Sequence, residues 1–109
     1  MPILRIEHAV PDFGKWKRVF DSDPADRKGS GVRRYQILRA HDNPNDVLID
    51  LEFDSLGQAE AFARTMERLW SGPGKAVMLG PRARIFDRVE ATDADGKPHS
   101  TSDSDSQSN

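Results

Sequence analysis

The sequence predicts an α+β fold of ferredoxin-like type, in which two helices cover one face of a four-stranded antiparallel sheet. Two observations lead to this prediction. Four stretches with strand character and two with helical periodicity follow one another in the order βαββαβ. All six lie within residues 1–91, a length suited to one domain with a single core.

The first strand and the first helix are predicted near the start of the chain. In the segment PILRIEHAV polarity alternates, and one face carries Leu4, Ile6, His8 and Val10. The next segment, PDFGKWKRVFD, has apolar residues at helical spacing, namely Phe13, Trp16, Val19 and Phe20. Asp12 is the predicted N-cap of this helix.

Two further strands and a second helix occupy the middle of the chain. The segment SDPADRKGSG has the composition of a loop, and VRRYQILR and VLIDLEF are predicted strands joined by the turn AHDNPND. Ser55 and Gln58 form a capping-box pattern at the start of the second helix. Its apolar stripe comprises Leu56, Ala59, Phe62, Ala63, Met66, Leu69 and Trp70.

The last strand completes the predicted sheet. SGPGK should end the second helix, AVMLGP should form an irregular or briefly extended connection, and RARIFDRVEA should form the strand. Its helix-facing residues would be Ala83, Ile85 and Val89. With the first strand between the third and the last, the open face would form an ion-pair array from Arg5, Glu7, Asp50, Glu52, Arg82, Arg84 and Arg88, with Phe86 among them.

Residues 92–109 read as a disordered tail, because they contain five Ser and four Asp but no aromatic residue and no aliphatic residue larger than Ala. The predicted domain is therefore 1–91. The whole chain has a formal charge of −2, and the four Asp and one Lys of the tail contribute −3, which leaves +1 for the domain. Such a balance argues against binding to nucleic acid or to an anionic membrane.

The composition also argues against disulfides, metal sites and membrane segments. The chain has no Cys, which excludes disulfides and thiolate metal sites. Its histidines fall in a strand, a turn and the tail, at His8, His41 and His99, so they predict no metal site. No leader or long apolar run is visible, and we expect a cytoplasmic protein without a membrane segment.

His8 is the polar residue on the predicted helix-facing side of the first strand. Two interpretations are open. It is either a buried histidine whose nitrogens are satisfied by the backbone or by Asp12, or a polar group in an apolar cavity walled by Trp16, Met66 and Trp70. In such a cavity an imidazole could act as a general base.

The other candidate site residues have two interpretations as well. Trp16 and Trp70 could simply be large core residues of a small domain. By strict alternation Arg34 shares a face with Val32 and Leu38. It either extends past a helix edge or faces the cavity, where it could pair with an anionic ligand.

Three segments carry a resemblance to a known group: EHAVPDFGKWKRVFD, GVRRYQILRAHDNPNDVLIDLEFDS and GPRARIFD. The chain resembles small actinobacterial-type proteins of the dimeric α/β-barrel superfamily that are described as cyclase-like or antibiotic-biosynthesis-monooxygenase-like. The resemblance spans Ile3 to Val89. It implies a homodimer with the sheets stacked through their open faces, and a pocket in each subunit between sheet and helices.

The predicted cavity and the resemblance together lead to an expected function. We expect a protein that binds an apolar or aromatic small molecule. If it is an enzyme, we expect a cofactor-free monooxygenase or cyclase-like isomerase that acts on an aromatic, polyketide-like compound, with His8 of the predicted cavity as the base. The alternative is a non-catalytic dimeric module that senses a ligand or binds another protein. Haem-degrading members use a helix histidine as iron ligand, and neither predicted helix contains one, so no cofactor is expected.

Overall fold

The computed structural model describes residues 1–72 and 79–97. The element order is βαββαβ, as predicted, with β1 Pro2–Ala9, α1 Phe13–Asp21, β2 Val32–Ala40, β3 Asn43–Phe53, α2 Leu56–Trp70 and β4 Leu79–Asp87. The strands form one antiparallel sheet in the order β2-β3-β1-β4, so the first strand lies between the third and the last. This confirms the ferredoxin-like α+β fold.

Both helices begin at the predicted caps. The Asp12 backbone is extended, and its side chain accepts the backbone N–H of Lys15 at 3.1 Å. Ser55 accepts the backbone N–H of Gln58 at 3.2 Å in the same way. Each cap satisfies a donor that has no partner inside the helix, which fixes where the helix starts.

The core fills the space between the sheet and the two helices. Its buried apolar residues come from both layers: Leu4, Ile6, Val10, Trp16, Val47, Ile49, Leu51, Phe53, Ala59 and Phe62. The predicted helix-facing side of β1 is therefore correct, and β3 turns Val47, Ile49, Leu51 and Phe53 to the same layer. No helix in the described part of the chain has the length and apolarity needed to cross a membrane.

The ends of three strands differ from the prediction. β2 extends to Ala40 and β3 already begins at Asn43. The turn between them is therefore only His41–Asp42. β4 begins at Leu79 and ends at Asp87, whose register partner Pro2 is the first residue of β1. Beyond Asp87 no β1 residue is available for pairing, and Val89, predicted to face the helices, is 95% exposed.

A β-bulge in β2 overturns the predicted face of Arg34. The register with β3 shifts between Val32 and Arg34, so that Val32 is opposite Phe53 but Arg34 is opposite Glu52. A one-residue shift moves the following side chains to the other face of a sheet. Arg34 therefore lies on the open face. Tyr35, which is opposite Leu51, faces the helices in place of Arg34.

Two predicted segments fall wholly or partly outside the described residues. The end of α2 at Trp70 agrees with the prediction, but residues 73–78, which include most of SGPGK and half of AVMLGP, are not described. Residues 92–97 are exposed and contain a turn in which the N–H of Asp93 bonds the carbonyl of Lys97. Residues 98–109 lie outside the described part, so the domain boundary at residue 91 stays a prediction.

Candidate ligand cavity

An apolar cavity of about 260 Å³ lies between the sheet and the helices. It is lined from the sheet by Ile6, Ile49 and Leu51, from α1 and the loop after it by Trp16, Val19, Phe20, Ser22, Pro24, Ala25 and Arg27, and from α2 by Phe62, Met66, Leu69 and Trp70. Three of the four residues predicted to bind a ligand, Trp16, Met66 and Trp70, are thus brought together around one space.

The aromatic wall follows from the helical spacing of α1. Phe13, Trp16 and Phe20 lie three and four residues apart, so their side chains share one face of the helix. The Trp16 ring stacks on Phe20 with ring centroids 5.2 Å apart and an interplanar angle of 28°, and it contacts Phe13 at 5.6 Å. Such a surface suits a planar apolar ligand.

His8 lies next to Trp16, one of the residues that line the cavity. Its side chain faces the helices as predicted, is only 2% exposed, and is 5.3 Å from the Trp16 ring between centroids. It is absent from the described lining of the cavity. A ligand confined to the described cavity therefore does not contact the His8 imidazole, and a proton transfer between them requires the lining to rearrange.

The expected hydrogen bonds of His8 are not formed. Neither ring nitrogen has a partner within the described residues, and the Asp12 carboxylate bonds the backbone of Lys15 instead. Burial lowers the pKa of His8 from 6.5 to about 4, because the charged form would lose its hydration. His8 is thus a neutral imidazole at physiological pH, able to accept a proton or a hydrogen bond.

A second residue with an unpartnered buried polar atom borders the cavity. The indole Nε1 of Trp70, a residue in the cavity lining, has no hydrogen-bond partner in residues 1–72 and 79–97. Buried indole N–H groups usually find an acceptor. Within the described residues, the buried side-chain polar atoms without a partner thus lie on Trp70, which lines the cavity, and on His8, which contacts the lining residue Trp16.

Arg34 is not part of this site. Its Nε lies 3.5 Å from the Glu52 carboxylate on the open face of the sheet, and it is absent from the described lining of the cavity. The prediction that it could face the cavity is wrong, because the bulge at the start of β2 reverses its side. The alternative of an arginine extending past a helix edge is replaced by a cross-strand ion pair.

The open face carries the predicted ion-pair array. Arg5 donates to both oxygens of Asp50 at 2.8 and 2.9 Å, and Gln36 donates to the same carboxylate at 3.1 Å. These contacts, led by the Arg5 hydrogen bonds, lower the pKa of Asp50. Glu52 accepts two bonds from Arg88, at 3.1 and 3.0 Å.

The sequence interpretation missed Arg27, which comes from the loop between α1 and β2. Its guanidinium lies 3.9 Å from the centroid of the Phe20 ring, and the Arg27 side chain helps to line the cavity. The segment SDPADRKGSG has no periodicity that would indicate which of its side chains turns inward. The one sequence signal was that this loop follows the aromatic helix α1, and that signal does not single out Arg27.

Neither a metal nor haem is favoured by the residues around the cavity. The described residues contain no group of three or more His, Cys, Asp or Glu that could hold a metal ion. The described lining offers no imidazole, thiolate or phenolate to a haem iron.

Solved structures share this fold. SnoaB, a cofactor-independent oxygenase from Streptomyces nogalater, matches with a TM-score of 0.63 at 16% identity, over 83% of this chain and 94% of SnoaB. MhuD, in a structure with two manganese protoporphyrin IX molecules per active site, matches with a TM-score of 0.65 at 15% identity, over 86% of this chain and 100% of MhuD. A dimeric ferredoxin-like protein from an uncultured marine organism has a TM-score of 0.57 at 9% identity, over 82% of this chain and 94% of that one.

These likenesses confirm the ferredoxin-like architecture, of the type found in antibiotic biosynthesis monooxygenases, that the sequence resemblance implied. No protein-family profile matches the chain, and the search of curated proteins gives no significant match. At identities this low the likeness shows the fold, and function has to be argued from the site.

Proposed function

We propose that this protein binds an apolar aromatic small molecule in the cavity between its sheet and its helices. The main support for this proposal is the lining of the cavity, in which the Trp16 and Phe20 rings and the Trp70 indole surround about 260 Å³ of space. Concave apolar sites with few polar groups are the usual small-molecule sites of proteins. The volume suits a compact ligand of two or three fused rings better than a porphyrin.

We further propose a reaction of the cofactor-free kind, either monooxygenation or a cyclase-like isomerisation of an aromatic, polyketide-like compound. SnoaB, which has the same fold, is a cofactor-independent oxygenase. Without a cofactor the ligand itself must supply the electrons given to oxygen. The protein then has to bind the ligand, exclude water and accept a proton.

His8 is the proposed proton acceptor. Its imidazole is neutral at physiological pH because burial lowers its pKa to about 4, and both nitrogens lack partners among the described residues. A base of that strength suits a ligand whose proton is already acidic. Because His8 contacts Trp16 and is absent from the described cavity lining, the proposal includes a movement of the Trp16 side chain when the ligand enters.

We also propose a homodimer formed through the open faces of two sheets. The helices cover only one face, and the open face exposes Phe86 at 37% and Leu38 beside the half-buried Leu48. A similar fold is described as dimeric in the marine protein. A cytoplasmic location stays the expectation from the sequence.

The binding proposal is tested by thermal shift with a panel of fused-ring aromatic and polyketide-like compounds. The wild-type midpoint should rise with at least one compound, whereas Ala25→Leu, which fills part of the cavity, should abolish the rise. Val89→Leu is the matched control, since Val89 is exposed beyond β4. A panel that shifts none of the proteins, or shifts Ala25→Leu as much as wild type, contradicts the site.

Oxygen uptake and product analysis with the bound compounds in chelator-treated buffer test the reaction. Wild type should consume oxygen or isomerise the compound, and His8→Leu should bind it while turning it over far more slowly. Binding without any turnover in wild type would favour the alternative, a non-catalytic ligand-sensing or protein-interaction module. Equal turnover in both proteins would exclude His8 as the base.

A further inference from the structure

The one charged side chain in the described lining of the cavity is that of Arg27. Its side chain is 15% exposed, and its Nη1 donates to the carbonyl oxygen of Phe20 at 2.7 Å. The guanidinium lies over the Phe20 ring at 3.9 Å and near the Tyr35 ring at 4.9 Å from the centroids. Two aromatic faces and one hydrogen bond therefore hold the plane of this group at the edge of an apolar space.

The loop that carries Arg27 is itself held in shape. Asp23 and Asp26 have positive φ angles of 57° and 51°, a backbone region that Asp tolerates better than most residues. The Asp23 carboxylate accepts the backbone N–H of Arg27 at 2.9 Å, and the Asp26 carboxylate accepts that of Gly29 at 3.2 Å. The position of Arg27 is thus fixed before any ligand arrives, which lowers the cost of binding.

The hydrogen-bonding capacity of Arg27 is only partly used. Nη1 is shared between the Phe20 carbonyl and Asp23, whose Oδ1 lies at 3.3 Å. Nε and Nη2 have no hydrogen-bond partner within residues 1–72 and 79–97. An arginine with this edge free can bind a carboxylate through two parallel hydrogen bonds.

The chain contains an example of that geometry. On the open face, Arg5 donates its Nε and Nη2 to the two oxygens of Asp50 at 2.8 and 2.9 Å. Arg27 also lines a more polar groove on the outside of the molecule, so it lies between the cavity and solvent. A ligand with its rings in the cavity would place a polar substituent near this guanidinium.

We propose that Arg27 is a specificity-determining residue and that the preferred ligand of the cavity is an aromatic carboxylate. The inference rests on the proposed function, because it requires the cavity to bind a small molecule. The rings of the ligand pack against Trp16 and Phe20, while its carboxylate accepts hydrogen bonds from Nε and Nη2 of Arg27. A neutral analogue of the same shape loses the charge-assisted part of these bonds.

The test compares 2-naphthoate with 2-naphthamide by isothermal titration calorimetry at pH 7.5. The two probes have nearly the same shape and differ in charge. Wild type should prefer naphthoate by roughly tenfold or more, the low end of what a hydrogen bond to a charged group contributes. Arg27→Gln should lose this preference and keep its affinity for naphthamide within about twofold.

Arg39→Gln is the matched control. Arg39 also lies over an aromatic ring, with 4.1 Å to the centroid of Phe13, and its Nε donates to the carbonyl of Pro44 at 3.0 Å, yet it is absent from the described cavity lining. This variant should keep the preference for naphthoate. The comparison of the two probes on wild type needs no variant. It therefore tests the preference for a carboxylate even if Arg27→Gln folds poorly.

The outcomes separate the two proposals. Equal affinity of wild type for both probes, or an unchanged preference in Arg27→Gln, overturns the role of Arg27 while leaving the cavity as a binding site. Failure of wild type to bind either probe overturns the aromatic-carboxylate inference. If the broader aromatic panel also gives no thermal shift, the proposed binding function fails as well.

Discussion

Replacing His8 with leucine should remove a loss of stability that acid causes in the wild-type protein. Burial lowers the pKa of His8 in the folded chain from 6.5 to about 4. As the pH falls through this interval, the unfolded chain binds a proton that the folded chain does not bind. The free energy of unfolding therefore decreases below pH 6.5, and the full decrease is reached below about pH 4.

The size of this effect follows from the two pKa values. Their separation of about 2.5 pH units corresponds to roughly 3 kcal/mol. Leucine cannot bind a proton, so the stability of His8→Leu relative to wild type should grow by about that amount between pH 7 and pH 4. Above pH 6.5 His8→Leu should be at least as stable as wild type, because it removes a buried imidazole whose two nitrogens lack partners in the described chain.

Urea unfolding followed by tryptophan fluorescence at several pH values between 4 and 7.5 measures the difference directly. His41→Leu is the control, since His41 is exposed in the turn between β2 and β3, and its curve should run parallel to that of wild type. Other titrating groups contribute to all three proteins and cancel. A constant difference between wild type and His8→Leu across the range would refute the reasoning, since it would mean that His8 is solvated or hydrogen-bonded in the folded protein.

Four other changes test the sheet, the core and the tail. Asp50→Asn should lower the free energy of unfolding at pH 7 by about 1–3 kcal/mol and remove an acid-dependent loss that wild type shows below pH 3.8, because hydrogen bonds lower the pKa of this carboxyl; urea unfolding from pH 2 to 7 measures both. Trp16→Ala should cost about 3–5 kcal/mol in the same assay, and a loss below about 1 kcal/mol would mean that its site collapses or is less packed than it looks. Phe86→Glu should weaken the proposed dimer in sedimentation equilibrium while Val89→Glu does not, and a wild-type monomer at micromolar concentration would defeat the dimer itself. Truncation after Ala91 should leave the thermal midpoint within about two degrees, whereas a larger drop would show that the tail packs on the domain.

The elements and their order were predictable because each rests on a local signal. Helical spacing in α1 and α2, together with the caps at Asp12 and Ser55, located both helices to the residue. The side of His8 was also predictable, since β1 alternates without interruption. These signals depend on neighbours three or four positions away at most, which a single sequence displays in full.

What escaped prediction depends on pairing between distant segments. The bulge between Val32 and Arg34 arises where β2 meets β3, and the end of β4 depends on where β1 begins. The lack of a partner for His8 among the described residues depends on the residues packed around it. The position of Arg27 depends on a loop whose shape is set by its own hydrogen bonds. The alternation of polar and apolar residues along a strand contains no information on the bulge, the strand end, the surroundings of His8 or the position of Arg27.

The two faces of the sheet differ in whether their polar side chains have hydrogen-bond partners in the described chain. This difference favours a ligand on the helix side. On the open face, Asp50 and Glu52 accept hydrogen bonds from arginines within the same chain, so a dimer there need not supply partners for them. The buried side-chain nitrogens without partners in the described chain belong instead to His8 and Trp70, beside the cavity. Unpaired buried polar atoms lower the stability of the folded chain. Apolar side chains at these two positions would avoid this loss. The presence of these polar atoms near an aromatic-lined space is the physical reason to look for a ligand there rather than on the open face.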